Sequence, residues 1–438
     1  MNKNTPLDYE TVKAAIDSFR LPSFDYASIR DIVNIANKIE QLTGESFVRL
    51  EIGSPGFPPE QIGLDAELKA IKAGVSAVYP PLHGIAPLKD AASKFIKAFI
   101  NTDLAPEGCV PTCGSMQGCF AAFLLCGQCR EERKKVLFID PGFPVQKLQL
   151  EVLGMPYDSF DTYEYRGERL SEKVESYLKT GEYCAMLYSN PNNPAWTCLT
   201  EDELAAIGHL SQKYDVTVIE DLAYFGMDFR TDISKPYQPP YQPSVSHYTD
   251  NYILMISGSK AFSYAGQRIA VVAMSDQLYA REFDGLKKRY GIGGFGTVYT
   301  NRILYTLSAG TAHSAQHALA AMFNAAVNNE YNFLHTVYEY GRRAEKLKKI
   351  FTDNGFYLVY DKDVDRPLGD GFYFTIGYPG KRGIDLVYEL LFYGVSAIAL
   401  NSTGSKQEGL RICTSFVRDE QYALLEERMK CFHQNNRQ

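Results

Sequence analysis

Apolar and polar positions fall into two textures along this chain. Between residues 134 and 257, short apolar runs recur at strand length: "KKVLFID" (134–140), "YCAMLYS" (183–189), "VTVIED" (216–221) and "NYILMIS" (251–257). Such runs, bounded by turn formers, predict strands buried on both faces. Amphipathic stretches at 144–153, 170–180 and 200–213 lie between them and predict helices. The last of these opens with "TEDEL", a threonine N-cap followed by acids that complement the helix dipole. Strands alternating with helices predict a mostly parallel sheet covered on both faces.

The second texture begins near residue 313. "HSAQHALAAMFNAAVNNEYNFLHTVYEYGRRAEKLKKIF" predicts one long helix or two in series. "GFYFTI", a helix at 383–393, "LRICTSF" and a final helix from about 419 complete an α+β layout, a second and smaller domain. Residues 231–250 hold four prolines within eight positions and predict a loop. Its tyrosines either cover a site or belong to a surface insertion. The chain shows no internal repeat.

Composition narrows the partners. With 438 residues, 45% apolar and 22% charged, the chain has the balance of a soluble globular protein of one large or two moderate domains. A net charge of −7 argues against nucleic acid or an anionic membrane as main partner. The longest apolar run, "CFAAFLLC" (119–126), is too short to span a bilayer, and "MNKNTPLDYE" lacks the apolar core of a signal peptide. A cytoplasmic location is the expectation. Of nine cysteines, five crowd residues 109–129, including the pair in "CGQC". Without further ligands these read as packing thiols, and no metal site is expected.

The chemistry gathers around "SGSKAFSYAGQR" (257–268). Lys260 falls just past a predicted strand, where open α/β sheets bind ligands, and Ser257 ends that strand. The lysine is either a solvated charge or an amine kept for chemistry. Five other features bear on it. "PTCGSMQGCF" (111–120) predicts a strand end, a turn and a helix start, so Gly114, Ser115 and Met116 form a nest suited to phosphate. Asp221 ends another strand, as a helix cap or as partner to a protonated ring nitrogen, with Tyr224 three residues on. Asn193 in "YSNPNNPAW" offers an amide to a phenolic oxygen or simply shapes a turn. Phe143 in "DPGFPVQ" stacks on a planar ligand or fills the core. Arg268 and Arg411 are guanidinium groups suited to phosphate and carboxylate, or to surface ion pairs. Together the set describes a site for pyridoxal phosphate and an amino acid.

From about residue 45 to 430 the chain resembles the class I/II aminotransferases, the fold type I pyridoxal-phosphate enzymes. "SGSK" with Arg268 is similar to the family's Schiff-base lysine segment and its phosphate-binding arginine. "NPNNP" resembles its Asn-Pro-x-Asn-Pro element, "IEDLAY" its Asp-x-x-Tyr element, and "GLRICTSF" its carboxylate-binding arginine strand. "EIGSPGFPP" (51–59) resembles the stretch in which Gly53 lies against the substrate carboxylate. "VYPPLHGIAPLKDA" (78–91) resembles the segment in which Tyr79 reaches the phosphate of the other subunit. The resemblance implies a large domain with a mostly parallel seven-stranded sheet sandwiched by helices. It also implies a smaller α+β domain built from N- and C-terminal segments. The expected division is 1–55, 56–312 and 313–438, and the expected working unit is a homodimer with shared active sites.

Two departures stand out. After "NPNNP" the family continues Thr-Gly, whereas here Ala195 and Trp196 follow, so the sole tryptophan is expected to reshape the pocket. Where aspartate-specific members carry a second arginine, "NRILYT" (301–306) offers only Arg302. Two apparent motifs lack their context: "GIGGFG" follows a charged segment rather than a strand, and "HSAQH" lacks the glutamate of a zinc site.

The expected reaction is amino-group transfer between an L-amino acid and a 2-oxo acid. Lys260 binds the cofactor and then carries a proton from the substrate α-carbon, while Asp221 keeps the ring nitrogen protonated. Tyr224 and Asn193 set the phenolic oxygen, and Arg268 with Gly114–Met116 anchors the phosphate. Arg411, Asn193 and Gly53 orient the carboxylate. A C–S β-lyase on the same scaffold and a non-catalytic cofactor-binding regulator are the alternatives.

Overall fold

The computed structural model describes residues 4–21, 23–24 and 27–437, so the first three residues of the expected N-terminal arm lie outside it. Among the described residues, seven strands form one sheet: β1 (Cys109–Thr112), β2 (Lys135–Asp140), β3 (Tyr157–Asp161), β4 (Tyr183–Ser189), β5 (Thr217–Leu222), β6 (Tyr252–Ser257) and β7 (Ala270–Met274). They lie in the order β1-β7-β6-β5-β4-β2-β3. The four predicted apolar runs are the neighbours β6, β5, β4 and β2, which pair in parallel. Burial on both faces explains their unbroken hydrophobicity. Only β7 runs against its neighbours, because it returns directly from β6 by a loop, without a helical crossover.

Helices Gly114–Cys129, Pro144–Leu153, Glu168–Leu178 and Glu201–Tyr214 follow β1 to β4 in turn. The last has the full capping box: Thr200 accepts from the Glu203 amide, and Glu203 reaches back to Thr200. The helix Gly114–Cys129 is buried on most sides, which is why its sequence shows little polar face.

A second core takes its residues from two distant parts of the chain, Leu7 to Leu50 and Ala344 to Phe432. It contains a four-stranded antiparallel sheet in the order Ile398–Ala399, Leu410–Cys413, Tyr373–Gly377, Tyr357–Leu358. The N-terminal strand Val48–Arg49 joins it through parallel pairing with Val395–Ser396. The segment predicted as one helix or two is two, His313–Val327 and Tyr338–Asp353. The first buries Ala315, Ala318, Leu319, Met322 and Phe323 in the same core as the sheet, while the second contributes Ala344, Leu347 and Phe351 to the other. The packing therefore changes core within 313–353, and residue 313 itself falls on the side of the large sheet.

The proline-rich stretch is a strap, not a cover over the site. Its Tyr237 and Gln242 amides donate to the carbonyls of Ala98 and Phe99 at 2.8 Å, capping the end of helix Ala86–Ile100.

The hairpin Lys362–Asp363 / Arg366–Pro367 pins the two parts of the chain together. Buried Asp363 accepts from Arg166 at 2.9 Å, from Arg230 at 2.8 Å and from the Cys198 amide at 3.0 Å. Removing that carboxylate leaves two partly buried guanidinium groups without their shared anion. Asp363→Ala is expected to cost roughly 3–5 kcal/mol, read as a clear fall in the midpoint of urea unfolding against the wild type.

Candidate active site

Every strand of the parallel set ends at the same edge, and there the predicted residues meet. Ser115 and Met116 follow β1, Phe143 follows β2 and Asn193 follows β4. Asp221 and Tyr224 come at the end of β5; Ser257 ends β6, and Lys260 comes just after it. Because β7 is reversed, Arg268, two residues before it, reaches the same edge. Gly53 and Arg411 arrive from the second core. These eleven residues line one cavity of about 590 Å³, of the size that small-molecule sites occupy.

Lys260 is partly buried, and its Nζ donates to the Gly53 carbonyl. The ammonium also lies 5.4 Å from the ring centre of Phe372. Loss of water pushes its pKa down to about 8, and the nearby charges of Arg411 and Arg268 act in the same direction. Asp221 accepts from Gln146 Nε2 at 2.9 Å and from the Ala223 amide at 3.1 Å. Burial raises its pKa to about 6, because neither donor is a cation. A protonated ring nitrogen would supply the missing charge.

The phosphate side is built by a close approach. Gly114 has φ +72°, and a Cβ there would lie 2.5 Å from an Arg268 Nη atom, so only glycine lets the guanidinium lie over the helix start. Arg268 is itself left-handed at φ 52° and is steadied by the Ala265 carbonyl, which accepts from Nη1 at 2.8 Å. The same helix, Gly114–Cys129, starts here with no side-chain N-cap, so its first-turn amides are free of intrahelical partners.

Arg411, buried in strand Leu410–Cys413, donates from Nη2 to the Glu51 carbonyl at 2.6 Å. Its Nε has no partner among the described residues; neither have Ser115 Oγ and Asn193 Oδ1, which line the same cavity. Buried polar atoms are rarely left so. A phosphate would take the Ser115 hydroxyl and a carboxylate the Arg411 Nε, while Asn193 Oδ1 awaits a donor such as an amino group, so the residues present fit pyridoxal phosphate with an amino acid.

Sequence reasoning missed several lining residues. Gln146 holds Asp221, and its signal was its place three residues after Phe143, one turn into a helix that starts at the cavity. Tyr373 was legible only through register: Thr375 pairs with Arg411, and strand alternation puts Tyr373 on the same face. Ile29 and Val33, from helix Ile29–Thr43, form an apolar wall that no local motif announces.

The other residues singled out in the sequence lie outside the cavity. Trp196 does not line the cavity; its ring sits behind Tyr224 and Tyr373, at 5.4 and 6.2 Å between ring centres. Tyr79 is 87% exposed and stands outside this chain's cavity. Arg302 is also exposed, bonded only to the neighbouring Asn301 carbonyl among the described residues. His313 and His317 stack on each other at 5.5 Å, with His313 against the Val78 carbonyl. Among the described residues no cluster of His, Cys, Asp and Glu could hold a metal, and no helix is long and apolar enough to cross a membrane.

Comparison with known proteins shows the family. A transaminase of (5-formylfuran-3-yl)methyl phosphate from Methanocaldococcus jannaschii is 25% identical over 378 residues, 85% of this chain and 87% of its own. An aspartate aminotransferase of Pyrococcus horikoshii is 24% identical over 58% of this chain and 60% of its own. Among solved structures, an alanine aminotransferase from Pyrococcus furiosus superposes with a TM-score of 0.75 at 19% identity, covering 93% of this chain and 97% of that one. The family model "Aminotransferase class I and II" matches residues 46–428. The chain belongs to that family: it is a pyridoxal-phosphate-dependent aminotransferase, moving an amino group between an amino acid and a 2-oxo acid.

Proposed function

We propose that Lys260, Asp221 and Tyr224 carry the chemistry. In this reading Gly114, Ser115, Met116, Phe143, Asn193, Ser257 and Arg268 hold the cofactor, and Gly53, Asn193 and Arg411 hold the substrate carboxylate. The observation that supports it best is the pair of unpartnered buried donors on Ser115 and Arg411, facing one cavity with Lys260 and Asp221. When bound, the cofactor supplies an electron sink for the substrate α-carbon. Lys260 Nζ takes the proton from that carbon, and its depressed pKa keeps enough neutral amine near pH 8 to act as a base. Asp221 holds the proton on the ring nitrogen, and Gln146 keeps that carboxylate in place. Arg411 fixes the carboxylate by a charge-assisted fork. Phe143 packs on the ring.

The working unit we propose is a homodimer in which Tyr79 serves the partner's phosphate site. Val78 and Tyr79 are strongly exposed, and they share a surface recess with Ser308–Ser314. For the domains, the packing favours a second unit made of the chain up to about residue 50 and from 344 onward. All nine cysteines are free, which suits a reducing compartment such as the cytoplasm.

Lys260→Ala should lower turnover of amino acid plus 2-oxo acid by at least about 10³-fold while leaving the circular dichroism spectrum unchanged. Near-normal transamination would overturn the assignment. Arg411→Ala should raise KM for the amino acid by roughly 10- to 100-fold, from loss of a charged hydrogen-bond donor. The protonated amine cannot attack an aldehyde, so capture of pyridoxal phosphate by the cofactor-free protein should quicken as pH rises through about 8 and then level off. An ordinary exposed lysine would keep gaining rate to beyond pH 10. Borohydride trapping followed by peptide mapping reads both the rate and the residue.

A further inference from the structure

Tyr373 belongs to neither set of residues assigned above, yet it touches both. It is buried, lines the cavity and sits in strand Tyr373–Gly377. Its hydroxyl accepts the proton of Tyr224 at 3.1 Å. Its ring lies under the Arg411 guanidinium, with Cζ 4.9 Å from the ring centre. Its hydroxyl also stands where a side chain on Gly53 would be: a Cβ there would come within 2.5 Å of that oxygen. The absence of a side chain at Gly53 thus makes room for the phenol. Trp196 packs edge-on against both Tyr224 and Tyr373 and holds the pair from behind. The titratable groups that face Tyr373 are Tyr224 from the loop after β5, with Arg411 and Cys413 from strand Leu410–Cys413.

We propose that Tyr373 is a positioning residue shared by the two halves of the site: its hydroxyl sets how far Tyr224 is free to bond the cofactor's phenolic oxygen, and its ring fixes the guanidinium of Arg411 for the substrate carboxylate. The proposal rests on the cofactor-binding reading above. Tyr224 has a single proton to give. While Tyr373 accepts it, the bond to the cofactor oxygen is weakened by competition; without that acceptor the whole proton serves the cofactor. The ring contact is separate: a guanidinium over an aromatic face keeps its orientation after its outer edge is offered to an anion.

The two halves separate in two variants of the cofactor-loaded enzyme. Tyr373→Phe keeps the ring and loses the acceptor. Stronger donation from Tyr224 stabilises the anionic phenolic oxygen, so the pH midpoint of the visible band of the Lys260-bound cofactor should fall by roughly half a unit to one unit. Binding of 2-methylalanine, which has no α-proton to lose, should stay within about twofold. Tyr373→Leu also loses the ring, and its affinity for 2-methylalanine should drop by about three- to tenfold, as for a partly buried cation–π contact. An unmoved midpoint in Tyr373→Phe, or unchanged 2-methylalanine affinity in folded Tyr373→Leu, overturns the proposal; if the leucine variant does not fold, the phenylalanine midpoint decides alone. A wild type that takes up pyridoxal phosphate without forming the band would instead overturn the assignment of Lys260.

Discussion

Two cations of the site are held by the carbonyls of one short segment. Lys260 donates to Gly53 and Arg411 to Glu51, while Ser415 donates to Ile52 between them at 3.4 Å. The segment links the strand Val48–Arg49 of the second core to the rim of the large sheet. Carbonyl dipoles are weak partners for buried ammonium and guanidinium groups compared with carboxylates. They hold the cations in place without neutralising them, so both keep their appetite for anions. Had Glu51 turned its own carboxylate toward Arg411, the site would have been self-satisfied. Instead that carboxylate takes Arg49 at 2.7 Å and Ser396 at 2.6 Å, and only the backbone faces the cavity cations.

That arrangement depends on the sheet. Parallel strands bring all their C-terminal ends to one edge, so loops from distant points in the chain converge there. The reversed strand β7 adds what a parallel one would not: the loop from β6 back to β7 presents Lys260 and Arg268 at the same edge, eight residues apart. The left-handed backbone at Arg268 and the absent Cβ at Gly114 let the guanidinium close over the helix start. Local strain at these positions is held in place by the fully buried strands beneath them.

The parts of this design that were legible in the sequence are those fixed by local chemistry. A lysine after a buried strand, an acid ending another, a Gly-Ser turn into a helix and the Asn-Pro turn each announce a strand end, and the fold puts strand ends together. The parallel sheet followed from the runs 134–140, 183–189, 216–221 and 251–257, because burial on both faces leaves no polar alternation to blur the signal. What stayed hidden depends on pairing between remote segments. Tyr373 reaches the site only through its antiparallel register with the strand of Arg411. Ile29 and Val33 look like the ordinary apolar stripe of an amphipathic helix, and only the docking of that helix points them at the cavity. Helix His313–Val327 carries no Asp, Glu, Lys or Arg, unlike the charged helix that follows it, yet composition alone does not say which core takes it; its neighbours Gln61–Lys72 and Ala86–Ile100 decide that.

Trp196 shows how far a local rule yields to packing. Its backbone is left-handed at φ 60°, a conformation that costs a side-chain-bearing residue roughly 1–2 kcal/mol. Its indole N–H is buried with no partner among the described residues, a further cost of about 1–3 kcal/mol. Glycine would avoid both. The ring offsets them by burying a large apolar surface against Tyr224 and Tyr373. Room for it exists because Gly371 has no side chain: a Cβ there would stand 2.1 Å from the indole. The tryptophan thus alters the pocket from outside it, by fixing the two phenols that face the cavity rather than by occupying the cavity itself.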